Sequence, residues 1–355
     1  MITTNSETET KRIDHTDLRQ AMAPHQVPST KRSIWQLVNT LVPYVGLWAL
    51  AYDALQYSYW LAIPVIVLLS GFLIRIFIIF HDCGHSSFFR SNRANDFWGV
   101  VTGILTLTPY HYWRMAHARH HATSANLDQR GQGDIWMMTV NEYVRAPWAQ
   151  RLRYRLYRSP FVMLMLGPLF LTLVSNRMTF GAESVRERRS ILWTNLGIFT
   201  VAAAACWLIG WKAYVIIQFS SLLLAQAAGV WLFYVQHQFE GVYWVREGEW
   251  DFVTASLLGG SFYDLPGVLR WFTGSIGYHH IHHLNPKIPN YNLARCHDNS
   301  PVFRATKRTG ARSSLKTLRY RLWDEENAQL ISFREFRREM QRRKLAAAAS
   351  SNSPA

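Results

Sequence analysis

Apolar residues gather in long runs separated by strongly polar, basic stretches. Ser33 to Leu55 is apolar and aromatic, long enough for one membrane crossing. Tyr57 to Phe80 is the second such run, and the link Ala51 to Ser58 carries Asp53 but no Lys or Arg. Ile191 to Gly210 and Ala213 to Val235 read as a tight helical hairpin with Lys212 in its turn. Two shorter runs differ. Residues 96–110 end at Pro109, and residues 160–174 contain Gly167-Pro168 between two arginine-rich flanks. A full crossing by the first would put a membrane between the two histidine clusters that flank it, and basic flanks place both ends of the second on one face, so each short run reads as re-entrant or interfacial. The pattern predicts an all-α integral membrane protein with four transmembrane helices in two hairpins.

The flanks complete this outline. Met1 to Arg32 is polar, lacks a signal-peptide core, and reads as a flexible cytoplasmic tail. Residues 33–344 form one domain. After His237 the chain is soluble in character, and Ser314 to Lys344 reads as a basic helical segment, packed on the domain or lying on the membrane surface. Leu345 to Ala355 is low-complexity and reads as disordered. Arg75, the one charge in the second run, is placed to snorkel to the inner interface.

Composition sharpens the class. The net charge of +15 fits basic cytoplasmic loops, and no nucleic-acid module accompanies it. Cys83, Cys206 and Cys296 make an odd, scattered set without C-x-x-C, so reduced thiols are expected.

The chemistry lies in the histidines. His81-Asp82-Cys83-Gly84-His85 follows the second run. His117-Ala118-Arg119-His120-His121 and His279-His280-Ile281-His282-His283 both contain H-x-x-H-H. Residues at i, i+3 and i+4 share one helix face, so each cluster can aim its imidazoles at one point. Topology puts all three clusters on the cytoplasmic side. A structural zinc site needs four ligands and usually uses Cys. The Glu-x-x-His motif of soluble di-iron bundles is absent. Haem ligands would sit on facing membrane helices. An imidazole set of eight or nine divides naturally over two ions, and iron suits imidazole. Asp82, Asp128, Asp134 and Glu240 are candidates to orient the rings, and Arg119 could pair with one of them. His280 lies off the H-x-x-H-H face, with a supporting or solvent-facing role expected. His111 reads as interfacial, and His15, His25 and His297 as ordinary surface residues.

These three motifs, with Tyr234-Val235-Gln236-His237-Gln238-Phe239-Glu240, resemble the membrane fatty acid desaturase family, in particular bacterial acyl-lipid desaturases of the Δ12/Δ5 type. The likeness runs from about Ile34 to Leu330. It implies a cytoplasmic cap and a di-iron centre with nine ligands: His81, His85, His117, His120, His121, His237, His279, His282 and His283. It implies a reaction that takes two hydrogens from adjacent methylenes of a membrane-lipid acyl chain. O2, two electrons and two protons are consumed, and a cis double bond and water are formed. Phe88, Phe89, Trp98, Trp113, Trp136 and Trp231 are candidates to line the acyl path. No stretch like a fused cytochrome b5 or a cysteine-ligated cluster is present, so a soluble ferredoxin or flavodoxin is the implied donor. The alternatives are a related alkane, carotenoid or sphingolipid hydroxylase and, in another class, a metal transporter or sensor. The implied location is the bacterial cytoplasmic membrane, with both termini inside; double-bond position and oligomeric state stay open.

Overall fold

The computed structural model describes residues 15–131 and 133–351. Four helices are long and apolar enough to cross a membrane: Thr30–Tyr57, Tyr59–Gly84, Val185–Ile209 and Trp211–His237. The second spans 26 residues, about 39 Å at 1.5 Å per residue, against a hydrocarbon core of about 30 Å. It therefore projects beyond the apolar layer and carries His81 on its own last turn. Trp211–His237 does the same for His237. Both hairpins turn on one residue. Ser58 is extended, and its hydroxyl accepts from Trp60 N at 3.2 Å. Gly210 has φ 78°, a conformation costly for any side chain. Exposed Tyr57, Tyr59 and Trp60 at one turn, with Trp207 and Trp211 at the other, mark the interface far from the histidines.

Between the hairpins the chain dips into the bundle and returns. Asn92–Leu105 descends and Tyr110–Thr123 climbs back. A side chain at Gly197, twelve residues into the third spanning helix, would meet Ile104. The second short run forms a π-helical turn, Val162–Leu166, then Gly167–Leu173. It bends by 68° from the surface helix Trp148–Tyr157, and Thr172 reaches Gln226 on the fourth spanning helix. Arg177 closes both dips, donating to Leu107 O at 2.5 Å and Asn195 Oδ1 at 2.7 Å.

Several expectations are corrected. Arg75 does not snorkel. It is buried, donates to Thr40 Oγ1 at 3.1 Å and to Trp271 O, and lies 3.8 Å from the Trp271 ring centroid. Its partner belongs to a third dip, within a stretch that reads as soluble in sequence. Phe262–Asp264 runs down beside the fourth spanning helix, with Trp231 Nε1 donating to Tyr263 OH at 3.3 Å. Gly267–Phe272 then packs Phe272 on Phe72, ring centroids 5.3 Å apart. The segment is short and carries Asp264 and Arg270, which masks its depth.

The tails are more ordered than expected. Residues 1–14 lie outside the described residues, but His15–Met22 is a helix that buries Leu18 and Met22 against Ile281 and Leu284. Ser314 to Lys344 is not one helix. Leu322–Asp324 and Gln329–Ile331 form an antiparallel hairpin, extended by Met138–Thr139 into a three-stranded sheet. Helix Phe333–Ser351 follows and runs through much of the stretch read as disordered; residues 352–355 lie outside the described residues.

Arg158 ties the cap together. It is fully buried and donates to Gln238 Oε1 at 2.6 Å, Tyr320 O at 3.0 Å and Trp136 O at 3.2 Å. Arg158→Met takes this donor from Gln238 Oε1 and Trp136 O, while Tyr320 O keeps Arg321 Nη1 at 2.9 Å, and is expected to cost about 2–3 kcal/mol. A lower melting temperature in detergent micelles would show it; an unchanged one would mean that water replaces the guanidinium.

Candidate metal centre

The histidine motifs fold as their spacing requires, then part in a way spacing does not specify. Tyr110–Thr123 carries His117, His120 and His121; the short helix His279–Leu284 carries His279, His282 and His283. Around a helix, i+4 lies about 40° from i, whereas i+3 lies about 60° the other way. Each H-x-x-H-H therefore points in two directions and not at one point. His81, His85, His117, His121 and His282 form one group, and His120, His237, His279 and His283 form the other. Within each, one ring nitrogen per residue lies within 4.8 Å of the rest. In each group the i and i+4 pair of one motif meets the i+3 ring of the other.

Close packing fixes the short helix. Gly277 precedes it, and a Cβ there would fall 2.3 Å from the Tyr263 carbonyl, so only glycine fits. Tyr263 N donates to Gly277 O at 2.8 Å. Lys287 Nζ donates to His85 O at 2.9 Å, and Tyr110 OH to Cys83 O at 2.7 Å.

Hydrogen bonds set the tautomers. Asp82 Oδ1 lies 3.2 Å from His81 Nδ1, while its Oδ2 accepts from Asn290 N at 2.7 Å and Nδ2 at 2.8 Å. Gln36 Nε2 donates to Asn290 Oδ1 at 3.2 Å, which ties the first spanning helix to this chain. Asp134 Oδ1 lies 2.7 Å from His120 Nδ1, and Gly259 O lies 3.3 Å from His237 Nδ1. An acceptor against Nδ1 keeps the proton there and leaves Nε2 a bare lone pair.

That arrangement tests the site for a metal. His120 Nε2 and His237 Nε2 face each other at 3.2 Å, both bare by this assignment. Two lone pairs at that distance repel unless a cation lies between them. Other Nε2 pairs stand equally close: His81 and His117 at 3.1 Å, His121 and His282 at 3.0 Å, His237 and His279 at 2.8 Å. His85 Nε2 is buried and lacks any hydrogen-bond partner. Burial first, then neighbouring histidines, holds His85, His117, His121, His279, His282 and His283 well below the usual imidazole range. Neutral rings with converging lone pairs fit a pair of metal ions.

The chain belongs to the fatty acid desaturase family. Residues 58–309 match it. A fatty acid desaturase of Bacillus subtilis is 48% identical over 89% of this chain and 90% of its own. An sn-1 oleoyl-lipid 12-desaturase of Synechocystis is 26% identical over 71% of this chain and 72% of its own. An sn-1 acyl-lipid omega-3 desaturase (ferredoxin) of Nostoc is 28% identical over 82% of each. The protein is thus a membrane fatty acid desaturase whose histidine groups can hold metal.

Not every residue singled out in sequence reaches the desaturase centre. Asp82 and Asp134 do. Asp128 instead pairs with Arg246 at 2.6 Å, Glu240 is exposed, and Arg119 pairs with Glu183. His280 is buried, not solvent-facing, and belongs to neither group; its Nε2 lies 3.4 Å from His297 Nδ1, and burial pushes its pKa down to about 3. His297 and His25 are also buried: His297 packs on Phe262 and Tyr278, and His25 is held by Asn292 and Asn299. His111 is half-buried as an interfacial residue would be, and the His15 side chain lies outside the described residues.

Of the aromatic candidates, Trp113 meets the centre, stacking on His117 at 4.3 Å. Phe88 and Phe89 pack with Tyr110 and Trp98, Trp136 packs on Tyr154, and Trp231 bonds Tyr263. Phe233 was not legible in sequence. It contacts His120 at 5.0 Å and His237 at 4.9 Å, one turn before His237, just as Trp113 precedes His117. The shared aromatic at i−4 from His117 and from His237 was the available signal.

Asp134→Asn removes the carboxylate behind His120 and is expected to weaken metal retention about 10- to 100-fold in a chelator titration. Asp128→Asn, in the same loop but paired with Arg246, should match the unaltered protein. Equal retention in both variants would remove Asp134 from this role.

Proposed function

We propose that this protein is an O2-dependent acyl-lipid desaturase of the Δ12 type, working at two iron ions. In this reading His81, His85, His117, His121 and His282 hold one ion, and His120, His237, His279 and His283 the other. The observation that carries it is the facing Nε2 pair of His120 and His237, each with its proton fixed on the far nitrogen. All-imidazole ligation suits iron. When bound, the irons supply the redox chemistry that couples O2 reduction to C–H cleavage.

The chain's own residues hold this chemistry in place. Asp82, Asp134 and the Gly259 carbonyl keep Nδ1 protonated, so the rings neither turn nor lose the lone pair that faces the metal. Trp113 and Phe233 lie on the membrane side of the two groups, where an acyl chain arrives. Their rings exclude water and limit which methylenes approach. Per turnover, –CH2–CH2–, O2, two electrons and two protons become –CH=CH– and two water molecules.

The names of the Synechocystis and Nostoc relatives support a lipid-linked acyl chain and a ferredoxin-type donor. A soluble, acidic carrier suits a chain with a net charge of +15, since opposite charge speeds encounter. The arginines of 145–158 and 186–189 support a cytoplasmic histidine side in the bacterial inner membrane.

Aerobic expression in a bacterium, with double bonds localised by gas chromatography–mass spectrometry, tests this reading. A new cis-unsaturated acid is expected that disappears without O2 and in His120→Ala. Hydroxylated acids would move the assignment to a hydroxylase. No product from iron-loaded protein supplied with ferredoxin and its reductase would overturn the acyl-lipid reading. Turnover should also fall as ionic strength rises; a flat salt response would argue against a charged carrier.

A further inference from the structure

The third dip leaves a cationic cleft at the membrane boundary, apart from the metal centre. It encloses about 700 Å³ between the descending stretch Asp264 to Gly267, with Arg270, and the turn Gly310 to Ser313. Asp264 accepts from Arg270 at 2.7 Å and also pairs with Arg308. Arg312 lines the same cleft, is exposed, and makes no ion pair among the described residues. Three guanidiniums against one carboxylate leave two positive charges, one of them without a partner.

Apolar side chains stand beside the cleft on the helix that continues from its wall. Gly267–Phe272 packs beside Gly71 and Phe72, and Gly71 lies ten residues before His81, roughly 15 Å below it along the helix. Val268 and Leu269 of this segment are exposed, Val268 by 70%. Leu315, just beyond the cleft, is exposed by 62%. Surplus positive charge beside exposed apolar side chains on the same helix matches one kind of molecule. An acidic soluble protein would use the charge but leave the apolar side chains unmatched.

We propose that this cleft binds the phosphate head group of an anionic membrane lipid. Arg270 and Arg312 take the phosphate, and the acyl chains lie along Val268 and Leu269. Arg270 also stands 5.6 Å from the centroid of Tyr278, the residue before His279. The site therefore touches the segment that carries the third histidine motif. This inference does not depend on which metal or which double bond the enzyme uses.

The test uses full-length protein, stripped of lipid in detergent and incubated with phosphatidylglycerol or phosphatidylcholine, with retained lipid counted by native mass spectrometry. One phosphatidylglycerol should be retained, at least about fivefold more firmly than phosphatidylcholine, and excess inorganic phosphate should not displace it. Arg312→Gln breaks no contact in the fold and should lower retention about three- to tenfold; Arg270→Gln, which leaves Arg308 on Asp264, should do the same. Arg153→Gln, on a different basic helix, is the control. Unchanged retention in both cleft variants, equal retention of phosphatidylcholine, or displacement by inorganic phosphate would each overturn the proposal. So would variants that keep the lipid but bind an acidic ferredoxin less well, since that outcome would give the cleft to a protein partner.

Discussion

Neutral imidazoles buried with their lone pairs converging are the constraint on which this structure depends. Nine rings packed together would be costly to bury if all were charged, and burial with mutual repulsion holds His85, His117, His121, His279, His282 and His283 well below the usual imidazole range. Neutral rings must then place their protons. Asp82, Asp134 and Gly259 O accept them on the far side, so that His120 and His237 confront each other with bare nitrogens. Cations between the bare nitrogens would relieve that repulsion, which links the fold of the cap to the metal that its two histidine groups can hold.

The membrane helices serve this array by being longer than the hydrocarbon they cross. Tyr59–Gly84 and Trp211–His237 run in the same direction and carry His81 and His237 beyond the apolar layer without a break. The distance between metal and membrane is thereby set by rigid helix. Aromatic rings one turn back, Trp113 and Phe233, pack against His117 and His237.

Arginines buried or half-buried in the bundle hold the irregular parts to this frame. Arg75, Arg158 and Arg177 donate to backbone carbonyls and neutral side chains, and none pairs with a carboxylate. A guanidinium offers five donors in a fixed fork, which suits the unpaired carbonyls left where helices break. Each of the three joins a dip or a loop to a spanning helix. They are structural staples in places where water cannot reach the backbone.

The sequence by itself determined the four spanning helices, the short apolar runs between the hairpins, the nine histidines that gather in two groups, and the carboxylates Asp82 and Asp134 beside them. Length, period and spacing are local properties, and they survive into the fold because the membrane and the helix repeat enforce them. Only the tertiary structure decided how the rings are shared. Spacing puts His117, His120 and His121 on one face, but the 100° between i+3 and i+4 separates them once two metal positions exist. Tertiary packing alone also buried His25, His280 and His297, ordered the stretch from His15, and drew Gly267–Phe272 down to membrane depth. Those outcomes depend on partners hundreds of residues away in sequence, such as Trp271 for Arg75 or Asn290 for Asp82. A local pattern carries no record of such a partner until the chain has folded around it.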